Sequence, residues 1–354
     1  MRIPRPDTAS DGTGRLNDSL DNDGEAPRPL KYFISKNDLL VYSGCPKTFR
    51  YPKLNERFIY SLIHLILGLR PGNQYMIIDV HTHIFPSGMR RNRENFFAKD
   101  AAFKLLYQSP RARLIGGRQL IRAMDANRVD KAVVFGFPWT DIELAQNHNA
   151  YIMETVLKYP NRFIGLGCFD PASPGAAAEA ERCLAGGLNG IGELAFYQSG
   201  IDNAALAQLE PVMEMCAERG LPVLVHTNEP VGHEYHGKTP ITLSQTYGLI
   251  KRFADNKIIL AHWGGGLFFY CLMKKEVKAS LKNVYFDTAA SPYLYDPAVY
   301  RVASEFAGAD KILFGSDYPL LAPEKYFIEM EQAGLTRDEI DQICGSNAGH
   351  LFNL

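Results

Sequence analysis

The sequence feature that most constrains the fold is an apolar run ending in two histidines, Ile77-Ile78-Asp79-Val80-His81-Thr82-His83. Side chains in a strand alternate between its two faces, so residues two apart point the same way. The pattern therefore predicts a buried strand from whose carboxyl end His81 and His83 project together. Neutral imidazole is a common protein ligand of zinc and related ions, so this pair indicates the start of a metal site.

Seven further apolar, β-branched runs follow, and helical periodicity fills several of the stretches between them. The predicted strands are 76–80, 129–136, 162–169, 188–194, 222–227, 257–262, 284–289 and 312–317, and the clearest predicted helices are 117–128, 141–159, 174–186, 202–219 and 296–308. Near-continuous apolar runs are typical of strands buried on both faces of a parallel sheet. This alternation predicts an α/β fold, a (β/α)8 TIM barrel. An open doubly wound sheet is the alternative, but no Gly-rich phosphate turn follows the first strand.

The first 75 residues have a different character. Residues 1 to about 30 are rich in Asp, Gly, Ser and Pro, which predicts disorder. The apolar run 58–69 predicts one short helix, shorter than the roughly 20 residues that span a bilayer. We therefore predict a largely disordered N-terminal extension over 1–75 and a metal-dependent barrel over 76–354. Because Met76 directly precedes the first core strand, a second hypothesis is that residues 1–75 are not part of the natural protein.

Charge and cysteine usage limit the classes of partner. The formal net charge is −1, so no global field attracts nucleic acid or an anionic membrane. The six cysteines are scattered without a C-x-x-C pair, which fits a reducing cytosol. We expect a cytoplasmic protein that acts on a small molecule, with no nucleic-acid or membrane partner. A homodimer is one assembly that the sequence leaves open.

Potential metal ligands recur at the carboxyl ends of the predicted strands. Glu193 ends the fourth strand, His226 the fifth, His262 the sixth and Asp317 the eighth. In a barrel of this type the carboxyl ends of the strands meet at one face, where active sites lie. Each of these residues taken alone fits a structural role as well. Their joint placement predicts that they converge with the first-strand histidines on one metal site.

Candidate substrate contacts lie in the loops that follow the strands. The longest of these loops, about 84–116 and 228–240, are predicted to act as lids or substrate walls. The candidates are Arg90 and Arg91, suited to binding a carboxylate, His233 in the second long loop, and the pocket-lining aromatics Trp139, Trp263 and Tyr293. A solvated basic patch and ordinary aromatic packing are the structural alternatives.

Four motifs resemble the amidohydrolase superfamily of metal-dependent barrels. They are D-V-H-T-H-I-F-P from Asp79, V-L-V-H-T from Val223, I-L-A-H-W-G-G-G from Ile259 and I-L-F-G-S-D-Y-P from Ile312. The sequence is most similar to the amidohydrolase-related branch, also called amidohydrolase 2, which contains decarboxylases related to aminocarboxymuconate semialdehyde decarboxylase. The resemblance extends from about residue 76 to the C-terminus.

The resemblance implies a set of metal ligands, namely His81, His83, His226 and Asp317. It places His262 beside the metal, as a second-metal ligand or as a group that hydrogen-bonds substrate and water. Glu193 resembles the fourth-strand glutamate of the TatD-like branch, where that carboxylate bridges two metals. The alternative is that Glu193 supports the ligands from outside or binds a substrate cation. The implied cofactor is a divalent metal, Zn2+ first, as one or two ions.

Two reactions fit this predicted site. The first prediction is a hydrolase in which a metal-activated water attacks a small organic acid derivative such as a lactone or amide. The alternative is a non-oxidative decarboxylase, a carbon–carbon lyase, acting on an aromatic or unsaturated carboxylic acid. Asp317 and His262 are the catalytic candidates, and Asp317 is suited to moving the proton. A binding barrel without turnover fits the intact ligand set poorly, and a nuclease fits the near-neutral charge poorly.

Overall fold

Short parallel strands alternate with helices over residues 76–354, which a computed structural model describes; the predicted extension over 1–75 lies outside the described residues. The strands are β1 (Ile78–His83), β2 (Lys131–Phe135), β3 (Phe163–Gly165), β4 (Ile191–Leu194), β5 (Val223–Val225), β6 (Ile258–Leu260), β7 (Val284–Asp287) and β8 (Ile312–Leu313). The helices are α1 (Ser87–Arg91), α2 (Ala101–Tyr107), α3 (Gly117–Asn127), α4 (Ile142–Lys158), α5 (Ala176–Ala185), α6 (Asn203–Arg219), α7 (Leu243–Arg252), α8 (Lys275–Ser280), α9 (Ser291–Leu294), α10 (Val299–Phe306), α11 (Glu324–Gln332), α12 (Arg337–Asp341) and α13 (Asn347–Leu351). None of these helices combines the length and hydropathy needed to cross a membrane.

The strands close into a barrel. They pair in chain order as β1-β2-β3 and as β4-β5-β6-β7-β8, with every pair parallel. Parallel bridges join the two sheets, Thr82 to Tyr318 on one side and Gly167 to Ile191 on the other. The predicted (β/α)8 barrel is therefore confirmed, and each strand falls within its predicted run except β1, which extends three residues further.

Apolar side chains form two layers. The inner layer fills the barrel and includes Val80, Leu224 and Ile259 together with Leu351 of α13. The side chain of Asn347 donates to the carbonyl of Ile312 at 2.8 Å, which holds α13 against the amino-terminal end of the strands. The outer layer lies between the strands and the surrounding helices. With one end of the barrel closed by α13, the carboxyl ends of the strands form the accessible mouth.

The helix α4 shows how the sequence builds the outer layer. Asp141 caps its first turn by accepting from the backbone N–H groups of Glu143 and Leu144. Its buried residues recur at helical spacing and are Ala145, His148, Asn149, Ile152 and Thr155. His148 is therefore a core histidine. Its Nδ1 accepts from Trp139 Nε1 at 3.1 Å and its Nε2 donates to the carbonyl of Ile84 at 2.8 Å, which requires a neutral ring.

Because His148 is buried in its neutral form, we expect the free energy of unfolding to depend on pH. Burial lowers the pKa of His148 from 6.5 to about 4, so the unfolded chain takes up a proton at higher pH than the folded chain. The stabilisation is complete above pH 6.5 and is lost as pH falls towards 4. In a His148→Gln variant the amide accepts from Trp139 and donates to Ile84 without titrating. We expect the wild type to lose about 2–3 kcal/mol relative to this variant between pH 7 and about 4.5. Denaturant unfolding of both proteins measures it, and a pH-independent difference would contradict it.

Candidate metal centre at the barrel mouth

A bulge in β1 turns both histidines of the first strand towards the barrel axis. The pairing of β1 with β2 gains one residue between Asp79 and Thr82. An extra residue reverses the alternation of faces beyond it. Val80 therefore packs in the inner layer below the bulge, while His81 and His83 face the same interior above it.

A second bulge does the same for Glu193. The pairing of β4 with β5 gains one residue between Ile191 and Leu194, and both of these side chains pack in the outer layer. The extra residue leaves Glu193 free to face inward, where it is buried with 6% exposure. The period-two pattern alone would have put Glu193 on the same face as Ile191.

The six predicted metal ligands lie together at the carboxyl ends of five strands. Three groups of them have ligand atoms within 4.8 Å of one another: His81, His262 and Asp317; His81, His83 and Glu193; and Glu193, His226 and His262. Glu193 belongs to two groups and lies between them. His226 is grouped only with Glu193 and His262, so the ligand set implied by resemblance is not one cluster.

The ring nitrogens of the first-strand histidines and the oxygens of two carboxylates lie close together. His81 Nε2 lies 3.6 Å from Glu193 Oε2 and 3.8 Å from Asp317 Oδ1. His83 Nε2 lies 3.7 and 3.5 Å from the same two oxygens. Ligand atoms about 2.1 Å from one ion lie about 3.4 Å apart in a tetrahedral arrangement. These four atoms therefore have the spacing of ligands to a single transition-metal ion.

In each of the four histidines, one ring nitrogen points away from the centre of the site and lies beside a hydrogen-bond acceptor. The pairs are His81 Nδ1 with Asp287 Oδ2 at 2.8 Å, His83 Nδ1 with the Gly136 carbonyl at 3.0 Å, His226 Nε2 with the Gly237 carbonyl at 3.1 Å and His262 Nδ1 with the Ala289 carbonyl at 2.9 Å. Carbonyl and carboxylate oxygens only accept, so each ring donates there. A neutral ring then carries a lone pair on its other nitrogen, which is the state that binds a metal.

The donor set fits a divalent metal. Among the residues of 76–354, His81 Nε2 is a buried nitrogen without a hydrogen-bond partner. Imidazole lone pairs and carboxylate oxygens face one another here, and such an arrangement needs a cation between them. Nitrogen and oxygen donors in this combination suit zinc, manganese and related ions.

The pKa values of Glu193 and His81 also indicate that this site favours positive charge. Burial alone would raise the pKa of Glu193, but the charges of His81 and His226 hold it well below its ordinary value. Burial lowers the pKa of His81, but Glu193 and Asp287 together raise it well above its ordinary value. Protons and metal ions therefore compete for this centre, and metal binding releases protons.

Asp287 is a site residue that the sequence analysis missed. It ends β7 fully buried, and its Oδ2 accepts from His81 Nδ1 at 2.8 Å. Its Oδ1 accepts from the backbone N–H groups of His262 at 2.9 Å and Ala289 at 3.0 Å. One carboxylate thus orients two candidate ligands. Its place at the carboxyl end of a predicted strand was a signal that could have identified it.

The backbone is strained at two of the candidate catalytic residues. His262 has φ 53° and Asp317 has φ 58°, in the left-handed region. This conformation costs a non-glycine residue roughly 1–2 kcal/mol, and such strain is concentrated at functional sites. After β8, a Cβ on Gly315 would lie 2.8 Å from the Cβ of His81. Only glycine permits the segment after β8 to approach His81 of β1 this closely.

Aromatic side chains outside the predicted set surround the centre. The Phe135 ring centroid lies 5.1 Å from that of His81 and 4.7 Å from that of His83. The Tyr197 ring stacks on His226 at 6.4 Å. Burial, followed by the charges of Asp317 and Glu193, raises the pKa of Tyr107. Tyr107 lies in the long connection after β1, and no feature of the sequence marked it as a site residue.

Three of the predicted substrate contacts are engaged in internal bonds. Trp139 and Trp263 are fully buried, and their Nε1 atoms donate to His148 and to Ser291 Oγ. Arg90 donates from Nε to the Phe85 carbonyl at 3.0 Å and from Nη1 to Gln119 Oε1 in α3 at 2.8 Å. For the two indoles the structure favours the packing alternative, because an aromatic residue after a strand can turn towards either the core or the mouth.

The other predicted substrate contacts are exposed. Arg91 lies on the outer surface of α1, and His233 is exposed in the long loop after β5. Tyr293 is 60% exposed, with the Lys325 ammonium 5.9 Å from its ring centroid. A substrate role for these three residues stays a prediction.

The chain is similar to known proteins along most of its described length. The family model described as amidohydrolase matches residues 78–354. The 2-amino-3-carboxymuconate-6-semialdehyde decarboxylase of Dictyostelium discoideum is 24% identical over an alignment of 333 residues, which covers 78% of this chain and 91% of that protein.

Solved structures share the fold. The 5-carboxyvanillate decarboxylase of Sphingomonas paucimobilis superposes with a TM-score of 0.64 at 20% identity, covering 79% of this chain and 100% of that one. The dihydroxybenzoic acid decarboxylase of Polaromonas sp. JS666, solved with manganese and 2-nitroresorcinol, gives 0.59 at 20% identity and covers 79% and 98%. At this identity the likeness concerns the barrel itself.

Proposed function

The chain belongs to the amidohydrolase family, and on that premise we propose that it is a metal-dependent, non-oxidative decarboxylase of an aromatic or unsaturated carboxylic acid. The observation that carries the proposal is the similarity to a decarboxylase along 91% of that protein's length. The likeness of the barrel to two solved decarboxylases agrees with it.

The prediction of a hydrolase is wrong. The finding that overturns it is that the similar proteins are decarboxylases, of a muconate semialdehyde and of aromatic acids. The error has a physical cause, since the same strand-end ligands hold a metal for either reaction. The ligand set accounts for a metal at the barrel mouth, and the reaction depends on which other groups line that mouth.

A divalent metal is the cofactor of this centre, and we assign its position to His81, His83, Asp317 and Oε2 of Glu193, whose ring nitrogens and carboxylate oxygens lie 3.5 to 3.8 Å apart. When bound, the ion supplies positive charge that attracts substrate oxygens and stabilises the negative charge that develops during the reaction. Zinc stays the first candidate from the donor chemistry. Manganese is the second, because the similar dihydroxybenzoic acid decarboxylase contains it.

In the proposed reaction a carboxylate is replaced by hydrogen. The bond between the substrate carbon and the carboxylate breaks, carbon dioxide leaves, and a proton bonds to that carbon. We assign the proton transfer to Asp317, whose side chain lies at the mouth with 16% exposure and so exchanges protons with solvent. Burial would raise the pKa of Asp317, but hydrogen bonding to His83 and the charges of the histidines hold it below its ordinary value. At neutral pH this carboxyl is therefore ionised, so it takes up a proton from solvent before it passes one to the substrate carbon.

The walls of the mouth suit a flat, conjugated acid. The partly exposed ring of Tyr197 stacks on His226, while Phe135 is fully buried against the first-strand histidines and supports them from the barrel interior. Flat apolar surfaces of this kind bind rings and conjugated chains while a few polar groups fix their orientation. A small-molecule partner of this class stays our proposal.

The test is release of carbon dioxide by the metal-loaded protein. Hydroxybenzoic acids and unsaturated dicarboxylic acids form the test panel, and lactones and amides form the comparison panel. We expect at least one acid to yield carbon dioxide and the product lacking one carboxylate, with no turnover after the metal is removed by a chelator. Hydrolysis of the comparison panel without carbon dioxide from any acid would reject the proposal.

A further inference from the structure

The barrel has a seam between β3 and β4, next to Glu193. These two strands belong to different sheets and meet through one bridge, Gly167 to Ile191. Within residues 76–354, the last backbone hydrogen bond across this seam runs from Gly192 N to the Gly167 carbonyl at 2.8 Å. Glu193 is the next residue, and the bulge of β4 also interrupts the pairing with β5 at this point. Strand pairing therefore supports the backbone of this candidate ligand less than it supports the residues before it.

A side chain continues the seam where the backbone bonds end. Cys168 follows Gly167, and its Sγ donates to the Glu193 carbonyl at 3.1 Å, since a carbonyl only accepts. Cys168 is 1% exposed and packs in the inner apolar layer of the barrel. Water therefore has little access to this hydrogen bond.

The backbone of Cys168 is held in turn by Asn149, a buried residue of α4. Asn149 Oδ1 accepts from the Cys168 N–H at 2.9 Å, and Asn149 Nδ2 donates to the Cys168 carbonyl at 3.1 Å. One side-chain amide thus satisfies both backbone groups of Cys168, as a residue of a neighbouring strand would. The position of the thiol is therefore fixed from the helix layer.

A buried ion pair sets the orientation of the Asn149 amide. Its Nδ2 also donates to Glu179 Oε1 at 2.7 Å, which determines which end of the amide carries the nitrogen. Glu179 accepts from Arg182 Nε and Nη2, both at 2.7 Å, so that its buried charge is paired. Arg182 Nη2 also donates to the Gln146 carbonyl of α4 at 3.0 Å. A continuous series of hydrogen bonds thus joins α5 and α4 to the backbone of Glu193.

We infer that Cys168 is a positioning residue for the metal centre, because its thiol fixes the backbone from which Glu193 presents Oε2. The inference rests on the metal position assigned under the proposed function, but its test needs no substrate. Groups that orient a ligand without touching the metal change metal affinity by about 10- to 100-fold. A thiol is a weak donor, so the expected effect lies at the lower end of that range.

Binding of Co2+ to metal-free protein tests the inference, because the visible spectrum of this ion reports the geometry of its ligands. Cys168→Ala and Cys168→Val both lack the donor and change the buried volume in opposite directions, whereas Cys168→Ser keeps a donor. We expect the first two variants to bind Co2+ about 10-fold more weakly with a changed spectrum, and the serine to recover most of the loss. The matched control is Cys216→Ala, since Cys216 is an equally buried cysteine of α6 in the outer layer, and it should match the wild type.

A double-mutant cycle shows whether Cys168 acts through Glu193. Glu193→Ala removes the ligand and should weaken Co2+ binding, and adding Cys168→Ala to it should weaken binding no further. The inference would be overturned by an unchanged affinity in Glu193→Ala, or by an equal effect of Cys168→Ala with and without Glu193. Cysteine variants that lower the unfolding temperature but keep the affinity and spectrum of the wild type would overturn it as well.

The outcome is separable from that of the proposed function. Carbon dioxide release by the wild type, together with unchanged Co2+ binding in Cys168→Ala, would reject the inference and keep the function. Weaker Co2+ binding in Cys168→Ala, without carbon dioxide release by the wild type, would reject the function and keep the inference.

Discussion

Asp317→Asn is expected to stop decarboxylation while the chain stays folded and still binds metal. The amide keeps an oxygen at the metal position but cannot deliver a proton to the substrate carbon. Loss of a positioned general acid lowers rates by about 10²–10⁴-fold. Carbon dioxide release at saturating metal measures this loss, with metal content and circular dichroism recorded on the same sample. A fully active variant would contradict the role assigned to Asp317.

Exchange of the product's hydrogen isolates the proton transfer. In deuterated water an enzyme that protonates the substrate carbon also exchanges hydrogen at that carbon of the product, which nuclear magnetic resonance follows directly. We expect Asp317→Asn to lose this exchange together with carbon dioxide release. Asp255→Asn is the matched control, because Asp255 is an exposed carboxylate just before β6, at the opposite end of the barrel. Exchange that persists in Asp317→Asn would assign the proton to another group.

The sequence predicted the barrel because burial on both faces of a parallel strand leaves a simple pattern. Each apolar run contains its strand, but several strands are shorter than their runs, as in Ile258–Leu260 against the predicted 257–262. The apolar runs are longer than the strands because the residues beyond the last hydrogen bond of the sheet stay buried around the barrel mouth. Helix α4 begins and ends within one residue of its prediction, since a cap and a regular apolar face mark it.

The site was less accessible to sequence reasoning. Glu193 and the histidines were identified because each is a possible metal ligand at the carboxyl end of a predicted strand. The bulges that turn them inward depend on pairing with a neighbouring strand, which one chain's pattern does not contain. Asp287 was missed because its partners, His81 and the backbone at His262, are distant in sequence. The indole of Trp139 was misplaced because the sequence pattern does not show that it turns towards His148 of the following helix.

Metal affinity should fall further in Asp287→Asn than in Asp287→Ala. In the wild type Oδ1 receives two backbone N–H groups and Oδ2 receives His81 Nδ1. The asparagine oxygen must face the two backbone donors, which leaves its NH2 group against His81 Nδ1. The ring then accepts at Nδ1 and carries its proton on Nε2, the atom assigned to the metal. We expect affinity losses of about 100-fold for asparagine and about 10-fold for alanine, measured by calorimetric titration of metal-free protein.

Stability should change in the opposite order. Alanine leaves the backbone N–H groups of His262 and Ala289 buried without partners, at a cost of about 1–3 kcal/mol each. Asparagine keeps both of these bonds and should unfold close to the wild-type temperature in the metal-free state. A carboxylate that merely fills space would make alanine the more damaging variant in both measurements. Opposite orders for metal affinity and unfolding temperature would therefore show that Asp287 fixes the tautomer of His81, and parallel orders would reject that role.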